Sequence, residues 1–165
     1  MVITAHAIIG GAIGAAVGDP VAAFFAGVAS HYIADYIPHT DWGSFQKAGE
    51  TDFTAGQYLG IAGDIIGGTL VFWYLLHGLP AQLFINILCG AAGGISIDVI
   101  DNVPFWNKLL RKFQPFVAIH HLHLRIHNLG WSRFNAVKYT SLGITTQIVI
   151  GGLALFFLLM HTGRI

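Results

Sequence analysis

Five apolar stretches, at residues 3–17, 20–38, 56–77, 80–103 and 133–160, fill most of this 165-residue sequence. So much apolar chain leaves too little polar surface to face water. Only 10% of the residues are charged, where a soluble domain has roughly 25%. A bilayer tolerates such a surface, and about 20 apolar helical residues cross its ~30 Å hydrocarbon core. The expected fold is therefore all-α: a single integral membrane domain over 1–165, a polytopic helix bundle of about five helices. The first stretch has no Lys or Arg before it, as a secretory signal would, and reads as a retained membrane helix. Zero formal net charge points to no nucleic-acid partner, and the single Cys89 reads as a small core residue.

Breaks between the stretches are local and chemical. Gly18-Asp19-Pro20 ends one helix and starts the next, because proline suits a first helical position. Pro38 ends the second stretch, and His77-Gly78-Leu79-Pro80 forms a tight turn. This predicts a hairpin over 3–38, a second over 56–103, an amphipathic interfacial segment over 104–130 and a C-terminal transmembrane helix over 133–160. Seven of the eight Lys and Arg fall in 39–55 or 104–138, which places those segments and the N-terminus on the cytoplasmic side.

The two hairpins read as a repeat. Residues 26–38 and 92–104 match at Ala, Gly, Ser, Asp and Pro, which pairs Asp35 with Asp101, and Ile8-Ile9-Gly10-Gly11 matches Ile65-Ile66-Gly67-Gly68. Glycines at multiples of four (Gly10, Gly14 and Gly18; Gly56, Gly60 and Gly68, with Asp64 in the gap) predict close helix crossings in lipid.

Ionisable residues inside membrane segments are costly and point to function. Seven of the nine histidines and seven of the eight acidic residues fall on the cytoplasmic side of this arrangement. His31, Asp35 and His39 are spaced i, i+4, i+8 and share one helix face. His123 and His127, with His120 on the same face, have the spacing that lets two imidazoles reach one ion. His121 points away from that face and reads as a surface residue. Adding His6, Asp64, Asp98 and Asp101 gives a candidate metal set of His6, His31, Asp35, His39, Asp64, Asp98, Asp101, His123 and His127. Asp64 and Asp98 are the candidate catalytic carboxylates. Mixed imidazole and carboxylate donors point to zinc first, as one or two ions, with manganese or iron as alternatives. Neutral imidazole is the ligand, so affinity should fall below about pH 6.

Thr4-Ala5-His6 through Gly10, followed by Ser30-His31-Tyr32-Ile33-Ala34-Asp35-Tyr36-Ile37-Pro38-His39-Thr40-Asp41, resembles the predicted membrane-bound metal-dependent hydrolases, a group that includes LexA-regulated inner-membrane proteins. Asp98 looks like the Asp of that family's LPD-like segment, with Ile97 where the family has Pro, and His123 and His127 look like its later His pair. The HxxxD at His31 and Asp35 is more remotely similar to zinc-dependent phospholipase C. The resemblance implies a hydrolase of a prokaryotic inner membrane. With Lys108, Arg111, Lys112 and Arg125 as candidate phosphate contacts, the expected reaction is hydrolysis of a phospholipid or lipid phosphate by metal-activated water. A divalent-metal or proton-coupled transporter and a non-catalytic membrane assembly subunit are the competing readings. Membrane lipid is the expected partner, and oligomeric state is left open.

Overall fold

The computed structural model describes residues 1–41, 53–103, 105–130 and 133–165. Eight helices follow one another in these segments: α1 (Ile3–Val17), α2 (Pro20–Tyr36), α3 (Ala55–Leu76), α4 (Ala81–Asn102), α5 (Asn107–Leu110), α6 (Gln114–Gly130), α7 (Arg133–Lys138) and α8 (Thr140–His161). The protein is all-helical, with more helices than the five expected. The interfacial stretch divides into α5 and α6. The final helix does not run unbroken from 133, because Tyr139 separates α7 from α8. Of the polar connection expected over 39–55, residues 42–52 lie outside the described residues, as does Pro104.

Local chemistry sets the helix ends. Gly18 takes φ +78°, a conformation glycine adopts without steric cost, and closes α1. Asp19 Oδ1 accepts from Ala22 N at 2.8 Å, and Pro20 opens α2. At the other end Ile37 is extended (φ −79°, ψ 148°), as a residue preceding proline must be, so α2 stops at Tyr36. Thr54 and Gln57 form a reciprocal capping box at the start of α3.

Helix α4 is the centre of the bundle, with α1 and α2 packed along it and against each other. Glycine permits this. A Cβ placed on Gly10, Gly14, Gly27, Gly90, Gly93 or Gly94 would strike the backbone of a facing helix. Such close approach is how helices associate in lipid, where no hydrophobic force drives them together. The α2–α4 crossing is reciprocal. A Cβ on Gly27 would meet Gly90 and Gly94, and one on Gly93 would meet Phe24 and Val28. The Ser of each segment bonds back to its own helix in the same way, Ser30 Oγ to Gly27 O at 2.7 Å and Ser96 Oγ to Gly93 O at 2.8 Å.

The matching of α1 with α3 does not extend to packing. α3 approaches α1 and otherwise keeps its backbone away from α2 and α4. Gly56 faces open space, and Gly68 approaches α1 through the Thr4 side chain, so these two glycines of α3 build no backbone-to-backbone seam. Gly90, Gly93 and Gly94 of α4 build it instead.

Helices α3, α4 and α8 are each long and apolar enough to cross a membrane. Leu59, Leu70 and Trp73 of α3 and Ile148, Leu153 and Met160 of α8 are exposed. In water these faces would be unfavourable; in a membrane they meet lipid. The apolar core of Ile8, Ala12, Ala15, Leu75, Leu76, Ile87 and Leu158 lies toward one end of the bundle. Arg164 ties α8 to the α3–α4 turn at that end through the carbonyls of Leu75 and His77. The buried ionisable residues gather at the opposite end.

Candidate metal centre

Asp35 is the hub. Its carboxylate is fully buried and has histidines from three parts of the chain around it. Oδ2 lies 3.0 Å from His31 Nε2, 3.1 Å from His123 Nε2 and 3.1 Å from His127 Nε2. Oδ1 lies 3.1 Å from His6 Nε2 and 3.8 Å from His39 Nε2, and the Met1 amino nitrogen is 2.8 Å away. Asp98 adds a second carboxylate, 3.8 Å from His6 Nε2 and 3.9 Å from His123 Nε2. His6, His31, Asp35 and His39 are each no more than 1% exposed.

Helix geometry brings these groups in. His31 and Asp35 are one turn apart on α2, as their spacing predicts. Pro38 breaks the helix, and the chain turns so that His39 Nδ1 bonds the Ile37 carbonyl at 2.8 Å. His6 comes from the first turns of α1, Asp98 from the last of α4, and His123 and His127 from α6.

Imidazole orientation decides what this arrangement can do. A carbonyl oxygen only accepts, so the ring nitrogen facing it carries the proton. His31 Nδ1 donates to Gly94 O at 2.9 Å, and His39 Nδ1 donates to Ile37 O. In the neutral rings each Nε2 therefore presents a lone pair to Asp35. His31 Nε2 and His123 Nε2 stand 3.4 Å apart with Asp35 Oδ2 beside both. A lone pair and a carboxylate facing each other in a dry interior repel unless a cation lies among them, either a metal ion or, in its absence, the proton that His123 Nε2 shares with Asp35. Metal–ligand bonds of about 2.1 Å place neighbouring ligand atoms about 3.0 Å apart in an octahedron and about 3.4 Å apart in a tetrahedron. The observed separations of 3.0, 3.1 and 3.4 Å match those edges. His6 adds a separate sign: its side chain is buried, its Nδ1 has no hydrogen-bond partner, and its Nε2 lies 3.1 Å from Asp35 Oδ1 without forming a well-aligned hydrogen bond. Anchoring one imidazole nitrogen so that the other faces a metal is how ligand histidines are usually held.

Three overlapping groups have donor atoms mutually close enough to hold an ion: His6, His31 and Asp98; His31, Asp35 and His123; Asp35, His39 and His127. Buried His and Asp groups in this protein can thus hold a metal ion.

Titration follows the surroundings. Burial pushes the His39 imidazole down to about 3, so it is neutral at physiological pH. Burial would also lower His123, but its hydrogen bonds to Asp101 and Asp35 and the nearby Asp98 charge outweigh that and push it up to about 9.

Two expected site residues stand elsewhere. Asp64 belongs to none of the three groups. It caps α1 from α3: Thr4 N donates to its Oδ2 at 3.3 Å, and Thr4 Oγ1 to its backbone oxygen at 2.7 Å. A carboxylate at a helix N-terminus is stabilising without any metal. Asp101 is also outside the three groups, one step behind His123, accepting from His123 Nδ1 at 3.0 Å, His120 Nδ1 at 2.9 Å and Arg111 Nη2 at 2.8 Å. Arg111 is therefore paired with Asp101 while half-buried, whereas Lys108, Lys112 and Arg125 are exposed.

Spacing alone misses three participants. Gln147 of α8 takes Val2 N at 2.9 Å and donates to Thr40 O at 2.6 Å, tying the start of α1 to the turn that carries His39. An amide in an otherwise apolar helix was its available signal. Asp41 Oδ2 lies 3.8 Å from His39 Nε2. The Gly94 carbonyl that orients His31 has no side-chain signature at all.

The fold and site define an all-helical protein with membrane-length helices and a buried His/Asp cluster able to hold metal. No family model, curated protein or solved structure matches the chain.

Proposed function

We propose that this protein is a membrane-embedded, zinc-dependent hydrolase acting on a phosphoester of a membrane lipid, at the cytoplasmic face of a prokaryotic inner membrane. The observation that carries the proposal is the set of imidazole lone pairs converging on the buried Asp35 carboxylate, with one ring nitrogen of His31 and of His39 anchored on a carbonyl. When bound, a divalent ion there supplies Lewis acidity and brings the pKa of a water molecule toward neutral.

The residues of the chain supply the rest. His6, His31, Asp35, His39, Asp98, His123 and His127 hold and orient the centre. The exposed Lys108, Lys112 and Arg125 on α5, α6 and the turn between them favour anionic lipid near it. Exposed Phe105 and Trp106 suit the headgroup level of a bilayer. His127 is 25% exposed, so the centre opens to solvent on the α6 side. An anionic phosphoester is the substrate class that such basic surroundings favour. In hydrolysis water adds its oxygen to phosphorus, the ester P–O bond breaks, and the leaving alcohol takes the proton.

The test uses purified protein reconstituted in vesicles containing anionic phospholipid and lipid phosphate. Zinc content and release of phosphate or phosphorylated headgroup are measured together, with His31→Ala beside the native chain. Stoichiometric metal and metal-dependent product are expected, both lost in the variant. A zinc-loaded protein that releases no product from any lipid phosphoester refutes the hydrolase reading. Zinc transport across the vesicle wall without hydrolysis would place the protein among transporters.

A further inference from the structure

We propose that the centre binds two divalent ions, with Asp35 as the carboxylate bridge between them. This rests on the metal-dependent reading above and specifies its architecture. The three candidate groups share members, and the sharing limits the count. His31 belongs to two of them, but its Nδ1 is committed to the Gly94 carbonyl. Only Nε2 remains, and one lone pair serves one ion. The groups His6/His31/Asp98 and His31/Asp35/His123 therefore collapse onto a single ion.

Asp35 also belongs to two groups, and it has two oxygens. A carboxylate can bridge two ions, each taking one oxygen. His31 Nε2 and His123 Nε2 lie against Oδ2, whereas His39 Nε2 lies nearer Oδ1, beside the Met1 amino nitrogen, and His127, 3.1 Å from Oδ2, completes the group of Asp35 and His39. One ion is then held by His31 and His123 with His6 and Asp98 around it, and the other by Asp35, His39 and His127. The first set is rich in donors and nearly closed. The second has three protein donors on the side where His127 meets solvent, and three donors with a vacant position is the usual form of a catalytic zinc site.

A single ion does not serve all these groups. Placed among Asp35, His39 and His127, it leaves the group of His6, His31 and Asp98 without an ion, with His6 Nε2 3.8 Å from Asp98. Placed among His6, His31 and Asp98, it leaves the group of Asp35, His39 and His127 without an ion, with His39 Nε2 3.8 Å from both the Asp35 and Asp41 carboxylates. The remaining carboxylate nearby, Asp101, is already neutralised by Arg111 at 2.8 Å. It therefore calls for no third ion.

The experiment loads the full chain, in detergent, with manganese as the probe. Bound metal is counted after gel filtration, and the loaded protein is examined by electron paramagnetic resonance. Two manganese ions per chain are expected, with the broadened, exchange-coupled spectrum of carboxylate-bridged ions about 4 Å apart. His127→Ala changes a partly exposed side chain and spares the packed core. It should halve the metal and restore the six-line signal of an isolated ion. One ion per chain in the native protein at saturating manganese, or two with uncoupled six-line spectra, would overturn the proposal. Neither readout needs turnover. Two coupled ions without lipid hydrolysis refute the function and leave this inference standing, and one ion with hydrolysis does the reverse.

Discussion

Gly90→Ala asks one methyl group to enter the crowded backbone crossing of α1 and α4. The new Cβ would strike the Gly10 carbonyl and stand 2.9 Å from both Cα and N of Gly14. Ordinary contact begins near 3.4 Å, so α1 and α4 must part by at least about 0.5 Å for Gly14 alone, and by more for the carbonyl. Backbone cannot rotate aside as a side chain does. Overpacking of this kind costs about 1–3 kcal/mol. It also reaches the metal centre, because His6 rides on α1 and Asp98 on α4 with 3.8 Å between them. The matched control is Gly67→Ala, whose Cβ meets nothing within 4 Å. Replacing a helical glycine with alanine there should be neutral or stabilise by about 0.5–1 kcal/mol. The assay is thermal inactivation in detergent with bound metal measured on the surviving fraction. Gly90→Ala should lower the half-inactivation temperature and the metal content, and Gly67→Ala neither. Equal effects, or metal binding unaffected by Gly90→Ala despite a clear loss of stability, would refute this coupling of crossing to site.

Removing the cap carboxylate with Asp64→Ala should cost about 1 kcal/mol, as losing a capping side chain does, and leave bound metal unchanged; a fall in metal content would restore Asp64 to the ligand set. Acidity should act through His123, which faces Asp35, Asp98 and Asp101 as well as His31 and His127. Its folded pKa of about 9 exceeds the ordinary 6.5, so its contribution to metal-free stability is fully present below 6.5 and lost as pH rises through 9. Metal must displace that proton, so affinity should rise about tenfold per pH unit over the same window. Competition with a chelator across that range checks it, and a flat profile would contradict the assignment of His123 as a ligand.

Features that rest on neighbours in the chain were legible before any coordinates. Pro38 and Asp19-Pro20 act through their own dihedrals and hydrogen bonds, so the ends of α2 follow from residue identity. His31 and Asp35 share a face by helical period alone. Features that rest on which helix meets which were not. Asp64 looked like a buried functional carboxylate because nothing in α3 shows that the first turn of α1 lies against it. Gly56 and Gly90 are both helical glycines, yet one faces open space and the other a backbone. Gln147 acts on residues more than a hundred positions away, and the Gly94 carbonyl acts through a group every residue has.

Asp98 and Asp101 illustrate how the two kinds of information combine. The sequence match of 26–38 with 92–104 pairs Asp101 with Asp35, which argues for equivalent roles. The reciprocal contacts of Gly27 and Gly93, with the matching Ser30 and Ser96 bonds, show that the pairing is physical. The carboxylates even flank the same ring, Asp35 on His123 Nε2 at 3.1 Å and Asp101 on His123 Nδ1 at 3.0 Å. What differs is the cation each faces. Position 31 is His where position 97 is Ile, so the carboxylate of α2 has an imidazole one turn before it and that of α4 does not. Arg111 fills the corresponding need at Asp101 with a permanent charge of the protein's own. Equivalent placement in the fold thus yields unequal chemistry. At Asp35 the Met1 amino group takes only Oδ1, and the imidazoles gathered at Oδ2 favour an exchangeable metal, whereas at Asp101 a guanidinium fixes the acceptor that orients His123 toward it.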